Sequence, residues 1–176
     1  MSVNDPIPAA YRDMVEGFVT KARAFAESGD GLDSVMFVGN LATGEHIVVQ
    51  IDADDPDSKA AAGRHARVIA LTVDADYSLV VGEAWSLSEG DLARVEVILE
   101  EYGALSNYPR RIEVVFFVLE TRYGTWGGQA VMKLKGASEK KRTFGAVQFN
   151  KADDSGEGLL ANIIKKDIDA MQAGLQ

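Results

Sequence analysis

The stretch Arg111-Ile-Glu-Val-Val-Phe-Phe-Val-Leu-Glu120 decides how this chain is read. Laid out as a strand, it turns Ile112, Val114, Phe116 and Val118 to one side and Val115, Phe117 and Leu119 to the other. Both sides are apolar, and such a strand lies mid-sheet or is covered on both faces. The stretch Tyr77-Ser-Leu-Val-Val-Gly-Glu-Ala-Trp85 has the same character and is the natural pairing partner. The remaining elements are expected to cover these two.

Outward from that centre, residues 9–28 carry Tyr11, Met14, Val15, Phe18, Ala22 and Phe25 at steps of three and four, one face of a helix. Pro8 suits its first turn, and Gly29 with Gly31 its end. Two β-rich runs follow, Ser34–Gly39 and Glu45–Ile51, joined by the hairpin loop Asn40-Leu-Ala-Thr-Gly44. Asp55 then caps a helix running to about Val73, whose stripe of Ala62, Ala66, Ile69 and Val73 lets it sit close on a sheet. Residues 88–102 read as a helix through Leu92, Val95, Ile98, Leu99 and Tyr102, with a strand over 94–100 as the alternative. Past the central strand, Tyr123–Gly128 reads as a turn, Gln129–Lys135 and Lys141–Asn150 as strands. Leu160, Ile163, Ile164, Ile168 and Met171 place an amphipathic helix at the C-terminus.

This order predicts one α+β domain over residues 1–176, a largely antiparallel sheet of mostly six strands covered by three or four helices. Apart from one helix and one strand, the element order resembles the profilin-like layout of roadblock and longin domains. A fold of that kind does not by itself specify a function.

Composition narrows the options. At 176 residues and 47% hydrophobic, the chain suits a single core. No apolar run approaches the ~18–20 residues that span a bilayer, so no membrane partner is expected. The opening Met-Ser-Val-Asn-Asp-Pro lacks the basic and apolar regions of a signal peptide, which predicts a cytoplasmic protein. There is no cysteine, which removes disulfides, thiolate nucleophiles and Cys-ligated zinc. A net charge of −9 argues against nucleic acid as a partner.

One local pattern is familiar. Glu83-Ala84-Trp85 ends a strand, and Pro109-Arg-Arg-Ile-Glu-Val-Val115 begins another some 25 residues on. The pairing resembles the "EAW … P-x-R-x-E-V" pattern of small uncharacterised proteins of bacteria and their phages, over roughly residues 59–121. That resemblance implies no activity.

The candidate site residues are Glu83, Trp85, Arg111, Glu113 and His65. Glu83 and Glu113 sit inside apolar strands, where a carboxylate must be paired, hydrogen-bonded or protonated. They are either an acid pair able to bind metal or move protons, or partners in a structural ion pair with Arg110, Arg111 or a helix arginine. Neither His46 nor His65 has a ligand-spaced neighbour, so no metal and no cofactor is expected. Asp52–Asp57 fails the EF-hand template, because Pro56 and Asp57 stand where a ligand and a glycine belong. Gly124–Gly128 lacks the lysine and spacing of a phosphate loop, and no Gly-x-Ser-x-Gly or core-strand Glu-x-Lys occurs. Lys133, Lys135, Lys140, Lys141 and Arg142 cluster on one hairpin, suiting either a charged sheet edge that resists aggregation or a contact for an acidic partner such as nucleic acid.

The leading expectation is therefore a non-catalytic binding or assembly module, a homodimer built on a sheet edge or helix face, with a further protein partner allowed. The competing readings are a carboxylate-dependent hydrolase or nuclease using Glu83 and Glu113, with or without His65, and a sensor holding a small ligand against Trp85 or Phe117.

Overall fold

The computed structural model describes residues 6–52, 55–152 and 160–164. Helix α1 spans Ala9–Ser28 and stops where Gly29 turns left-handed at φ 93°, its N–H returning to the Ala26 carbonyl. Strands β1 (Val35–Asn40) and β2 (Glu45–Gln50) form the expected hairpin. Helix α2 runs over Pro56–Thr72, and the Asp55 carboxylate accepts from the Asp57 N–H at 3.0 Å, satisfying one orphan donor of the first turn. Strand β3 is Tyr77–Ser86, and β4 is Ile112–Thr121.

All strand pairs among the described residues are antiparallel, in the order β2-β1-β3-β4-β5-β6, where β5 is Gly124–Leu134 and β6 is Arg142–Phe144. β3 and β4 are central and pair with each other over ten positions, from Tyr77↔Thr121 to Ser86↔Ile112. Their double apolarity follows from two layers. On one face α1 covers Leu79, Val81, Val115, Phe117 and Leu119. On the other, α2 and Leu160–Ile164 cover Met36, Val38 and Val80 and reach Phe116. The small residues Ala62, Gly63, Ala66 and Ala70 line the buried side of α2, as its sequence requires. Between β3 and β4 a third cluster gathers Leu87, Ile98 and Tyr108.

Four expectations are corrected. The first concerns residues 123–128: strand β5 begins at Gly124 and runs to Leu134, so the turn is only Arg122 and Tyr123. Trp126 is a core residue, 1% exposed. Gly128 serves close approach here, because a Cβ there would stand 2.8 Å from Val147 Cγ1. The single strand expected over 141–150 is two, β6 (Arg142–Phe144) and β7 (Gln148–Lys151), both on β5. Between Phe144 and Gln148 lie three residues, against two between their β5 partners Met132 and Gln129, so the edge is bulged.

Residues 88–102 are helical, but as α3 (Glu89–Leu92) and α4 (Val95–Tyr102). The Ser88 hydroxyl donates to Asp91 Oδ2 at 3.2 Å and forms no backbone cap. Ile98 is buried, whereas Leu92 and Leu99 are exposed, so only part of the predicted face is core. Lastly, residues 160–164 are not helical, and Asn162 has φ 56°. Their backbone is held from outside: Glu120 Oε2 accepts from the Ile163 N–H at 3.1 Å, and Arg67 Nη2 donates to the Ala161 carbonyl at 2.7 Å. Ile168 and Met171 lie outside the described residues.

Candidate functional site

Register assigns the candidates to faces. In the β3–β4 ladder Glu83 is opposite Val115 and Trp85 is opposite Glu113. Opposed residues share a face, so Glu83, Trp85 and Glu113 lie on the α1 side with Val115 and Phe117. Arg111 joins them, its guanidinium 4.5 Å from the Trp85 ring centroid. Four of the five candidates therefore meet at the end of the ladder nearest the α1–β1 loop. The pieces of sequence that resembled a known pattern, 83–85 and 109–115, are largely the two sides of this ladder end.

His65 does not join them. It is exposed on α2, across the sheet from the cluster. A hydrolase or nuclease arrangement combining His65 with Glu83 and Glu113 is thus not assembled in this structure.

Each cluster side chain already has a task. Glu83 Oε1 accepts from the Leu32 N–H at 3.0 Å and ties the α1–β1 loop to β3. Glu113 Oε2 meets Arg142 Nε of β6 at 3.1 Å, with the two side chains 26% and 29% exposed. Arg111 Nη1 donates to the Tyr108 carbonyl at 3.1 Å, while its Nε is buried without a hydrogen-bond partner among the described residues. Trp85 is 43% exposed and has Arg111 against its ring, an ordinary cation–π pair. The two carboxylates are diagonal neighbours, and each is engaged by a different donor. Among the described residues no group of three His, Asp or Glu side chains is disposed to hold a metal ion.

Several polar residues that matter were not singled out in the sequence. Asp91 is buried and takes Arg110 Nη2 at 2.8 Å, while Arg110 also donates to the Tyr108 hydroxyl. This network pins α3 to the start of β4. Asp91→Ala is expected to cost about 1 kcal/mol, a low value because the Arg110 side chain is largely solvated; urea denaturation of the variant would measure it. Glu27 was also missed. Hydrogen bonds from Lys135 and then Thr143 hold its carboxyl below the usual carboxylate range. Two members of the basic hairpin, Lys135 and Arg142, are therefore matched by the chain's own carboxylates.

Two grooves lie away from this cluster. A groove of about 360 Å³ runs beside α1, lined by Ile7, Val15, Val19, Val147 and Phe149 with Arg12 at its rim. A second, of about 250 Å³, lies between α1 and the β1–β2 hairpin. Trp85 and Phe117 line neither, and Phe117 is fully buried against Phe144 and Phe149. Compared with known proteins, the chain matches no family model, no curated protein and no solved structure.

Proposed function

We propose that the protein is a non-catalytic binding or assembly module. One observation carries this reading: the carboxylates best placed for chemistry, Glu83 and Glu113, each give one oxygen to a contact that holds the fold together. A general base must come within about 3 Å of the proton it takes, and a carboxylate anchored through one oxygen is less free to turn toward a substrate. Glu113 presents its Oε2 to Arg142, and Glu83 its Oε1 to a backbone amide. The net charge of −9 and the two internally matched basic side chains of the β5–β6 hairpin favour a protein partner over nucleic acid. No helix of the described residues is long and apolar enough to cross a membrane.

Native mass spectrometry of the purified protein tests the reading. The expected masses are those of the bare chain and its whole-number multiples. A discrete additional mass retained through purification would overturn the proposal in favour of a ligand sensor or an enzyme.

A further inference from the structure

The two edges of the sheet are built differently. The β5 side ends in β6 and β7, strands of 3 and 4 residues separated by a bulge and accompanied by Lys133, Lys135, Lys140, Lys141 and Arg142. Short strands, bulges and lysines are the usual means of preventing a sheet edge from adding another strand. The opposite edge, β2, has none of them. It pairs with β1 over six consecutive positions without a bulge, contains no Lys, Arg or Pro, and exposes Ile47 (41%) and Val48 (52%).

The backbone of β2 is also ready to pair. The Ile51 N–H donates to the Ser34 carbonyl at 2.9 Å, which sets the phase of the β1–β2 ladder. In an antiparallel ladder the inward and outward backbone groups alternate by residue. Residues 45, 47, 49 and 51 therefore point their amides and carbonyls at β1, and His46, Val48 and Gln50 point theirs outward. Arg67 reaches from α2 toward residues 161 and 162, on the β4 side. The opposite side of that helix, turned away from residues 161 and 162, carries the exposed Asp57, Ala61, His65 and Thr72.

We infer that β2 is a self-pairing edge, and that two copies of this chain join through it in one antiparallel register centred on Val48. The inference rests on the assembly reading and gives it an interface. Only that register lets all three outward residues of each strand find one another: Val48 faces Val48 of the second copy, and His46 faces Gln50. It makes six backbone hydrogen bonds and sets Ile47 beside Val49 on the α2 face. Shifting the register by two residues in either direction sends an outward residue beyond the end of the strand.

Charge limits the strength of this pairing. Glu45 is the one charged residue of β2. In the Val48-centred register the two Glu45 residues lie at opposite ends of the ribbon, roughly 20 Å apart at about 3.4 Å per residue. That exceeds the Debye length of about 8 Å at physiological salt, so they do not repel each other. Each stands opposite Ile51 of the second copy, however, next to Asp52, and that like-charge contact weakens pairing. The overall charge of −9 also opposes it, and the dimer is expected to tighten as salt is raised. A six-residue ribbon buries less than the roughly 1,200–2,000 Å² of a standard stable interface, so association should be reversible and concentration-dependent.

The experiment combines two variants of the full chain, measured by light scattering and native mass spectrometry from micromolar to millimolar concentration. Val48→Lys places two like charges on the two-fold axis, at a position already exposed in the monomer. The wild type is expected to dimerise, and Val48→Lys to weaken the dimer at least tenfold with an unchanged circular dichroism spectrum. Val48→Cys supplies the only thiol in the chain. Directly hydrogen-bonded antiparallel partners have Cα atoms about 5.5 Å apart, within disulfide reach. Mild oxidation is therefore expected to link Val48→Cys dimers, and not Val131→Cys, whose exposed site lies on β5. A dimer that survives Val48→Lys and fails to cross-link at position 48 overturns the β2 interface while leaving the assembly reading in place. A wild type monomeric across the whole range, with no protein partner recovered, overturns both.

Discussion

Replacing Trp126 by alanine is expected to destabilise the protein by about 3–5 kcal/mol, the range for truncating a large aromatic side chain in a core. Trp126 is 1% exposed, lies opposite Leu119 in the β4–β5 ladder, and belongs to the cluster beneath α1. Its indole also has the Lys151 ammonium of β7 over its ring, 5.5 Å from the centroid. The cavity left by alanine would border β4, β5 and β7 together, where collapse cannot close it without shifting the ladder. Urea denaturation would show the loss as a lower midpoint with little change in slope. A cost under about 1 kcal/mol would match a tryptophan in a surface turn and contradict the β5 placement.

That same residue marks where the sequence ceased to be legible. Gly124-Thr-Trp-Gly-Gly128 satisfies every local rule for a turn, because glycine serves both tight turns and close approaches. What separates the two uses is the chain packed alongside, Val147 and Phe149 against Gly128, and that is a long-range fact. The break between α3 and α4 has a similar origin. Hydrophobic spacing over 88–102 favours one helix, but Asp91 is held by Arg110, 19 residues away. At 160–164 the apolar spacing fits a helix, yet Glu120 and Arg67 supply partners to backbone groups there and remove the need for one. By contrast, α1, α2 and the β3–β4 pairing were legible because burial alone imposes their periods of 3.6 and 2.

The candidate site was legible in part and for a definable reason. Glu83 and Glu113 stood out because carboxylates in apolar strands need partners, and partners are what the structure gives them. An arginine was anticipated, but from the neighbouring sequence, Arg110 or Arg111, or from a helix. The arginine that pairs with Glu113 is Arg142, brought in by β6, which pairs with β5 in turn. Arg111 is drawn instead to the Trp85 ring. His65 was a candidate by residue type alone, with no periodic signal placing it on the same face as the carboxylates, and the fold sets it across the sheet. Glu120 carried a signal that was available: counted by twos from Val114 and Phe116, it falls on the α2 face, where it is 4% exposed.

Gly39→Ala is expected to cost about 3 kcal/mol, at the upper end of the usual penalty for overpacking. Gly39 is paired on both sides, to His46 of β2 and to Tyr77 of β3. Its φ is not positive, so the glycine is required for space and not for conformational freedom. A Cβ there would stand 2.6 Å from the Glu45 carbonyl oxygen, 2.7 Å from the Tyr77 hydroxyl and 2.8 Å from His46 Cβ. Two of these neighbours are the backbone of β2 and the root of a side chain on it, which cannot swing aside. The third belongs to a tyrosine that is 3% exposed, so β2 must move or Tyr77 must leave the core. Either route loosens the hairpin that presents the open sheet edge. Gly39→Ala should therefore lower both the urea midpoint and the dimer fraction, whereas Val48→Lys should lower the dimer fraction alone. If Gly39→Ala unfolds at the wild-type midpoint, the close approach of β1 and β2 at this pair is wrong. The phase that turns His46, Val48 and Gln50 outward would then have to be reassigned with it.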